Sequence, residues 1–232
     1  MQDKLIFLDT ETTGNDPKND RLCQVSYKVL GGDMISGYFK PPIPISVKAM
    51  SITHITNKMV ANAEVFAQSQ MRHELQEILR DHVLVAHNAL FDIAMLKHEG
   101  LEMPRFICTL RLSRYLDEEA KIPEYGLQFL RYFLDIDVEA SAHDAEGDVL
   151  VLEALFDRLY AKLPDVEKMV EISSHPTLFK NFIFGKYKGQ SIDDVAKTDR
   201  RYLEWLLSQK ELNGEGPDED WIFTLKHYLN KM

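Results

Sequence analysis

Asp148 falls on the apolar stripe of a helical run. Leu152, Leu155, Leu159 and Leu163 follow it at steps of three or four. That spacing predicts that its carboxylate shares their buried face. Carboxylates are seldom buried without a compensating partner, because removing the charge from water is costly. A metal ion is the natural compensation. Two other segments carry acids in equally apolar surroundings, so the chain must fold to bring the three together.

The first is Leu5-Ile6-Phe7-Leu8-Asp9-Thr10-Glu11. The unbroken apolar run reads as a strand buried on both faces, ending at Asp9. A strand period of two aims Asp9 and Glu11 at the same side. The second is the run from Val83 to Leu96, which reads as a buried strand, a tight connection with Asn88 as N-cap, and an apolar helix. Asp92 is the single acid in that helix's first turns. Ligands of open sheets bind beyond the carboxyl ends of the strands, where both segments place their acids. Taken singly, Asp92 also reads as a helix-start acid complementing the macrodipole, Asp144 as a cap for the helix of Asp148, and His143 as an ordinary histidine. Three acid-bearing apolar segments in one chain point to a shared site.

The coarse pattern gives strands at 4–9, 22–28 and 34–39, a Pro-rich loop at 41–44 and a helical stretch at 65–79. A strand at 83–86 and a helix at 91–98 follow, then a short strand at 106–108 and helices at 109–115, 127–133 and 145–163. Three successive strands, then strands alternating with helices, imply an α/β fold with a mixed sheet flanked by helices. The 232 residues, 45% hydrophobic, suffice for one substantial core and a small second unit. The boundary is read at Ser173-Ser174-His175-Pro176, giving a first domain 1–172, a linker 173–180 and a small C-terminal α-rich domain 181–232.

Between Lys180 and Lys210 seven basic residues stand against Asp193, Asp194, Asp199 and Glu204. Gly185 and Gly189 bracket Lys186-Tyr187-Lys188 and predict a tight turn. This turn reads either as a secondary nucleic-acid contact, with Tyr187 stacking a base, or as a solvated basic turn with Tyr187 packed on a helix. Ser191 opens a capping-box-like helix start with Asp194 in place of Glu. Trp205, with Tyr202, Leu206 and Leu207, is expected in the small domain's core.

The formal net charge of −10 argues against extensive phosphate wrapping. Cys23 and Cys108 form neither a disulfide framework nor a zinc site. The start of the chain does not read as a signal peptide, and no apolar stretch is long enough to span a bilayer. A cytoplasmic protein without a membrane partner is expected.

The segments Asp9-Thr10-Glu11-Thr12-Thr13-Gly14, His87-Asn88-Ala89-Leu90-Phe91-Asp92 and His143-Asp144-Ala145-Glu146-Gly147-Asp148 resemble the three motifs of the DEDD exonuclease superfamily. His143 lies five residues before Asp148. That spacing is similar to the histidine branch, which includes the proofreading subunit of bacterial replicative polymerase. The tyrosine branch would place Tyr where Asp144 stands. Residues 44–60 and the stretch from Phe184 to Leu229 resemble the exodeoxyribonuclease X type within that branch, whose C-terminal appendage the small domain resembles. One departure is Asn15-Asp16 after Gly14, where relatives often carry an apolar residue that can wedge against a terminal base.

The resemblance implies a ribonuclease H-like fold and 3′–5′ hydrolysis of DNA to nucleoside 5′-monophosphates, in repair or end trimming. It implies catalytic residues Asp9, Glu11, Asp92, His143 and Asp148. The four acids would hold two Mg²⁺ ions, for which Mn²⁺ can substitute, and His143 would act as general base. Substrate contacts are expected from Thr12, Thr13, Gly14, His54, Asn88 and Phe91, with His54 equally readable as structural and Phe91 as core. The expected partners are single-stranded DNA or DNA 3′ ends, with duplex ends as a further candidate. An RNA 3′-end exonuclease and a polymerase-associated proofreading subunit are the alternatives within this chemistry. A non-catalytic binding module is the alternative outside it, and it gives no physical need for five buried polar groups.

Overall fold

Parity along the first strand sets the architecture. The computed structural model describes residues 4–102, 105–139, 144–212 and 218–231. Strand β1 (Leu5–Thr12) sends Ile6 and Leu8 into one apolar cluster and Leu5 and Phe7 into another, so both faces of the sheet are covered. The remaining strands are β2 (Leu22–Val29), β3 (Met34–Tyr38), β4 (Val83–Ala86) and β5 (Phe106–Cys108), in the order β3-β2-β1-β4-β5. β1, β2 and β3 pair antiparallel, whereas β4 and β5 continue the sheet in parallel with β1.

Helices α1 (Val47–Thr53) and α2 (Asn57–Val60) follow β3. Helices α3 (Gln70–Leu79) and α4 (Ala89–His98) bury Leu75, Leu79, Ile93 and Leu96 on the Ile6/Leu8 face. The other face receives Leu112 of α5 (Thr109–Leu116) and Leu130 of α6 (Leu127–Phe133). It also receives Leu152, Leu155 and Phe156 of α7 (Ala145–Lys162) and Met169 of α8 (Val166–Ser173). The mixed sheet expected from the sequence is therefore the one observed, with several corrections. β1 does not end at Asp9: its pairing with β2 runs through Glu11↔Gln24 to Thr12↔Leu22, with a register shift after Glu11. Its pairing with β4 stops at Phe7↔Val85, so β1 overhangs its parallel neighbour and carries Asp9 to the rim. The stretch at 65–79 is broken at Ser69, whose hydroxyl caps α3 by accepting from Arg72 N at 3.1 Å. Helices α1, α2 and α8 lie where the sequence pattern gave no helix.

Helices α9 (Ile192–Thr198), α10 (Arg200–Leu212) and α11 (Glu219–Asn230) close around Phe179, Phe182, Leu203, Trp221 and Leu225. Phe179 and Trp221 stack with centroids 4.4 Å apart. The period of α10 turns Leu203 and Leu206 inward and leaves Trp205 54% exposed, contrary to expectation. The basic turn is a short 3₁₀ segment, Gly185–Tyr187, with Gly185 and Gly189 both at positive φ. Arg111, 3% exposed, fastens this C-terminal unit to the sheet domain. It donates to Glu219 (2.8 Å), Asp220 (3.0 Å) and the Ser173 carbonyl (2.7 Å), while Arg114 reaches Asp220 at 2.9 Å. Cys23 and Cys108 are buried free thiols. Among the described residues no helix is long and apolar enough to cross a membrane.

Candidate active site

The overhang of β1 brings three carboxylates together. Asp9 and Glu11 project to the α7 side of the sheet, in the same parity as Leu5 and Phe7, and Asp148 meets them from the first turn of α7. One oxygen from each lies within 4.8 Å of the other two. Asp148 is 8% exposed, as its helical spacing required, and its carboxylate accepts from Gln128 Nε2 of α6. Asp92, 3% exposed, approaches from α4 and accepts from Thr10 Oγ1 at 2.7 Å. Thr10 has the parity opposite to Asp9, so β1 serves the acids on both of its sides.

Burial and neighbouring acids raise the proton affinity of Asp9 and Glu11. Burial pushes Asp9 well above the ordinary carboxylate range, and the charges of Asp92, Glu11, Asp148 and Asp144 add to it. Glu11 is pushed up to about 8, first by burial and then by Asp148, Asp92 and Asp144. Burial raises Asp92 to about 7, against the hydrogen bond from Thr10. Every charged neighbour acting on Asp9 is another acid. A convergence of hard oxygen donors with that balance fits a divalent cation such as Mg²⁺ or Mn²⁺.

A cleft of about 360 Å³ opens beside the acids, lined by Glu11, Thr12, Gly14, Lys48, Ile52 and Phe91 among others. Thr12, Gly14 and Phe91 line this cleft together with Lys48 and Ile52, which the sequence does not single out because the seven-residue α1 is too short to show a period. Thr13 is buried, turned from the cleft, with its hydroxyl bonded to Asp20 at 2.6 Å. His54 does not line the cleft; it ends α1 in the left-handed region at φ 60°. Asn88 occupies the N-cap of α4 at φ 62° without a side-chain capping bond, and it lines two neighbouring clefts instead. Asp144 likewise makes no side-chain cap and accepts from Gln24 Nε2 at 3.1 Å. Gly14 has an internal reason to be glycine: a Cβ there would meet the Asp20 carboxylate at 2.4 Å. In the basic turn, Lys186 and Tyr187 both bond Asp199, and the Tyr187 ring packs on Tyr202. Lys188 reaches Glu124 at 3.3 Å. His143 lies outside the described residues.

A family model described as exonuclease (RNase_T) matches residues 6–156, the stretch that contains all four acids. The chain belongs to the exonuclease family. A second model, for exodeoxyribonuclease X-like C-terminal regions, matches residues 182–211 of this exonuclease. Exodeoxyribonuclease 10 of Escherichia coli K12 is 32% identical over 232 residues, covering 97% of this chain and 98% of that protein. A PolC-type DNA polymerase III of Thermotoga maritima is 31% identical over 75% of this chain and 14% of its own length. Among solved structures, exonuclease X in complex with 5′ overhanging duplex DNA matches with a TM-score of 0.60 at 27% identity. It covers 73% of this chain and 99% of that one. Escherichia coli exonuclease I in complex with a dT13 oligonucleotide shares the fold, with a TM-score of 0.60 at 21% identity over 70% of this chain and 42% of that one.

The raised carboxyls predict an inverted pH dependence for the metal-free exonuclease. The unfolded chain ionises these groups near pH 4, whereas the folded chain holds Asp92 and Glu11 protonated to about 7 and 8. The folded state therefore binds the extra protons, and its stability falls as pH rises between those limits. His87 acts oppositely. Burial lowers its pKa to about 4, with Nε2 donating to the Tyr125 carbonyl at 2.8 Å, so its contribution is present above about 6.5 and lost on acidification. The carboxyls alone act between about pH 6.5 and 8. In chelator, the calorimetric Tm should fall across that interval, and Mg²⁺ should flatten the fall. A Tm that climbs with pH there, with or without Mg²⁺, contradicts the assignment.

Proposed function

We propose that this exonuclease hydrolyses DNA from the 3′ end, releasing nucleoside 5′-monophosphates with the help of divalent metal ions. The observation that carries the reading is the convergence of Asp9, Glu11 and Asp148 at a strand rim beside a nucleotide-sized cleft. The DNA named for exodeoxyribonuclease 10 and for the exonuclease X complex supports DNA as substrate, at single-stranded or duplex ends. Asp9, Glu11 and Asp148 would hold two Mg²⁺ ions, exchangeable for Mn²⁺, with Asp92 completing the set. Bound there, the ions supply an acidified water and neutralise charge on the phosphate.

The chain's own residues do the rest. Thr12, Gly14 and Phe91 seat the terminal nucleotide, and Lys48 faces its cleft. Gln128 holds the Asp148 carboxylate and Thr10 holds that of Asp92. His143 takes the proton from the attacking water, as a general base does. The water oxygen bonds to phosphorus while the bond to the preceding O3′ breaks, and O3′ takes up a proton. The same proposal divides the chain into a catalytic domain 1–172, a linker 173–180 and an appended unit 181–232, in the reducing cytoplasm that suits two free thiols.

A gel time course on 5′-labelled single-stranded DNA and RNA, with Mg²⁺ or chelator, tests this reading. DNA should shorten from its 3′ end only with metal, and the Asp92→Ala protein should leave it intact. Shortening of RNA alone would move the activity to RNA ends, and no shortening of either would refute an exonuclease. His143→Ala should lose about 10²–10⁴-fold in rate while keeping its metal affinity. Loss of that affinity would make it a ligand instead of a base.

A further inference from the structure

Three clefts adjoin along the face that carries the acids. Phe91 lines both the nucleotide cleft and a second cleft of about 360 Å³ over α4, beside Lys18 and Lys97. Asn88 lines that second cleft and a third of about 590 Å³, whose walls are Tyr125 on one side and Ile183, Lys210 and Trp221 of the C-terminal unit on the other. At the junction the Asn88 backbone stands in the left-handed region, and its side chain makes no hydrogen bond to a described residue.

The charge along these clefts suits a polyanion in spite of the acidic whole. All four acids that line the second and third clefts are ion-paired: Glu124 with Lys188, Asp218 with Lys210, Glu219 with Arg111, and Asp220 with Arg111 and Arg114. Lys97 lines the second cleft and has no ion-pair partner among the described residues. Aromatic walls with interspersed cations are what a single strand uses for stacking and phosphate contact.

We infer that the C-terminal unit forms the far wall of a groove that holds the substrate strand on the 5′ side of its terminal nucleotide. This rests on the exonuclease reading above and extends it. The appended unit then sets how strongly a longer strand is bound, while the chemistry stays with the four acids.

The test is the rate on strands from two to about twelve nucleotides, a range chosen to span groove-type site sizes. For the wild type, kcat/KM should rise with length and then level off. Ile183→Glu places a charge on the C-terminal wall at a side chain that is 37% exposed, and Lys97→Glu reverses one in the second cleft. Each should lose about tenfold in kcat/KM on long strands and less than about twofold on the dinucleotide. Equal losses at all lengths, or no loss at any, overturn the groove while leaving the exonuclease intact. Failure of the wild type to cleave any strand removes the underlying reading, and the groove with it.

Discussion

Asp9→Asn should abolish turnover and at the same time raise the thermal stability of the metal-free protein. Asp9 is the residue on which the other acids converge: it shares the 4.8 Å cluster with Glu11 and Asp148, and the charge of Asp92 is the largest of its neighbours' effects. An amide keeps the shape and one acceptor oxygen but removes the charge that would hold a cation. Metal-derived stabilisation of a phosphoryl transition state amounts to several kcal/mol, and each tenfold in rate is about 1.4 kcal/mol, so the loss should be roughly 10³-fold or more. The same substitution relieves like-charge repulsion in a desolvated place. A gain of about 1–2 kcal/mol corresponds to a Tm rise of roughly 2–8 °C for a chain of this size. The rise should vanish when both proteins are measured in saturating Mg²⁺, because the wild type alone then gains from binding. A variant that keeps near-wild-type turnover, or one that melts lower in chelator, would remove Asp9 from the centre of the site.

Asp220→Ala should destabilise the protein more than any surface charge change. Asp220 accepts from Arg111 at 3.0 Å, from Arg114 at 2.9 Å and from Thr177 N at 2.9 Å. Both guanidiniums are largely buried, and Arg114 Nε has no hydrogen-bond partner among the described residues. Removing one partner from a buried ion pair leaves charge without compensation and costs about 3–5 kcal/mol, which lowers Tm by roughly 6–20 °C. Glu219 retains one bond to Arg111, so the lower half of that range is the expected result. The double variant Arg114→Leu with Asp220→Leu should recover part of the loss, since an apolar pair of similar volume carries no desolvation cost. A Tm within about 2 °C of wild type for Asp220→Ala would show that this clamp does not hold the C-terminal unit.

How much of this was legible in advance differs between fold and site. The mixed sheet follows from one physical rule applied to particular residues: an unbroken run such as Leu5–Leu8 is comfortable only between two apolar layers. The burial of Asp148 follows from the period of its own helix, and the shared side of Asp9 and Glu11 from the period of their strand. The continuation of β1 to Thr12 was not legible, because it depends on pairing with β2, and polar residues do not announce a partner. The exposure of Trp205 was misjudged because composition says how apolar a residue is, whereas the neighbouring Leu203 and Leu206 decide which way the helix turns.

Local periodicity in the sequence by itself determined the class of fold and the acids that belong to one site, since each depends on neighbours a few positions away. Tertiary structure alone decided the rest. The arrival of Lys48 and Ile52 in the cleft and the Arg111–Asp220 clamp join segments distant in the chain, and the Asp20 carboxylate that turns Thr13 away and requires glycine at position 14 is brought there by the fold of a non-repetitive loop. Such contacts are set by how whole elements pack, and no spacing along the chain encodes them.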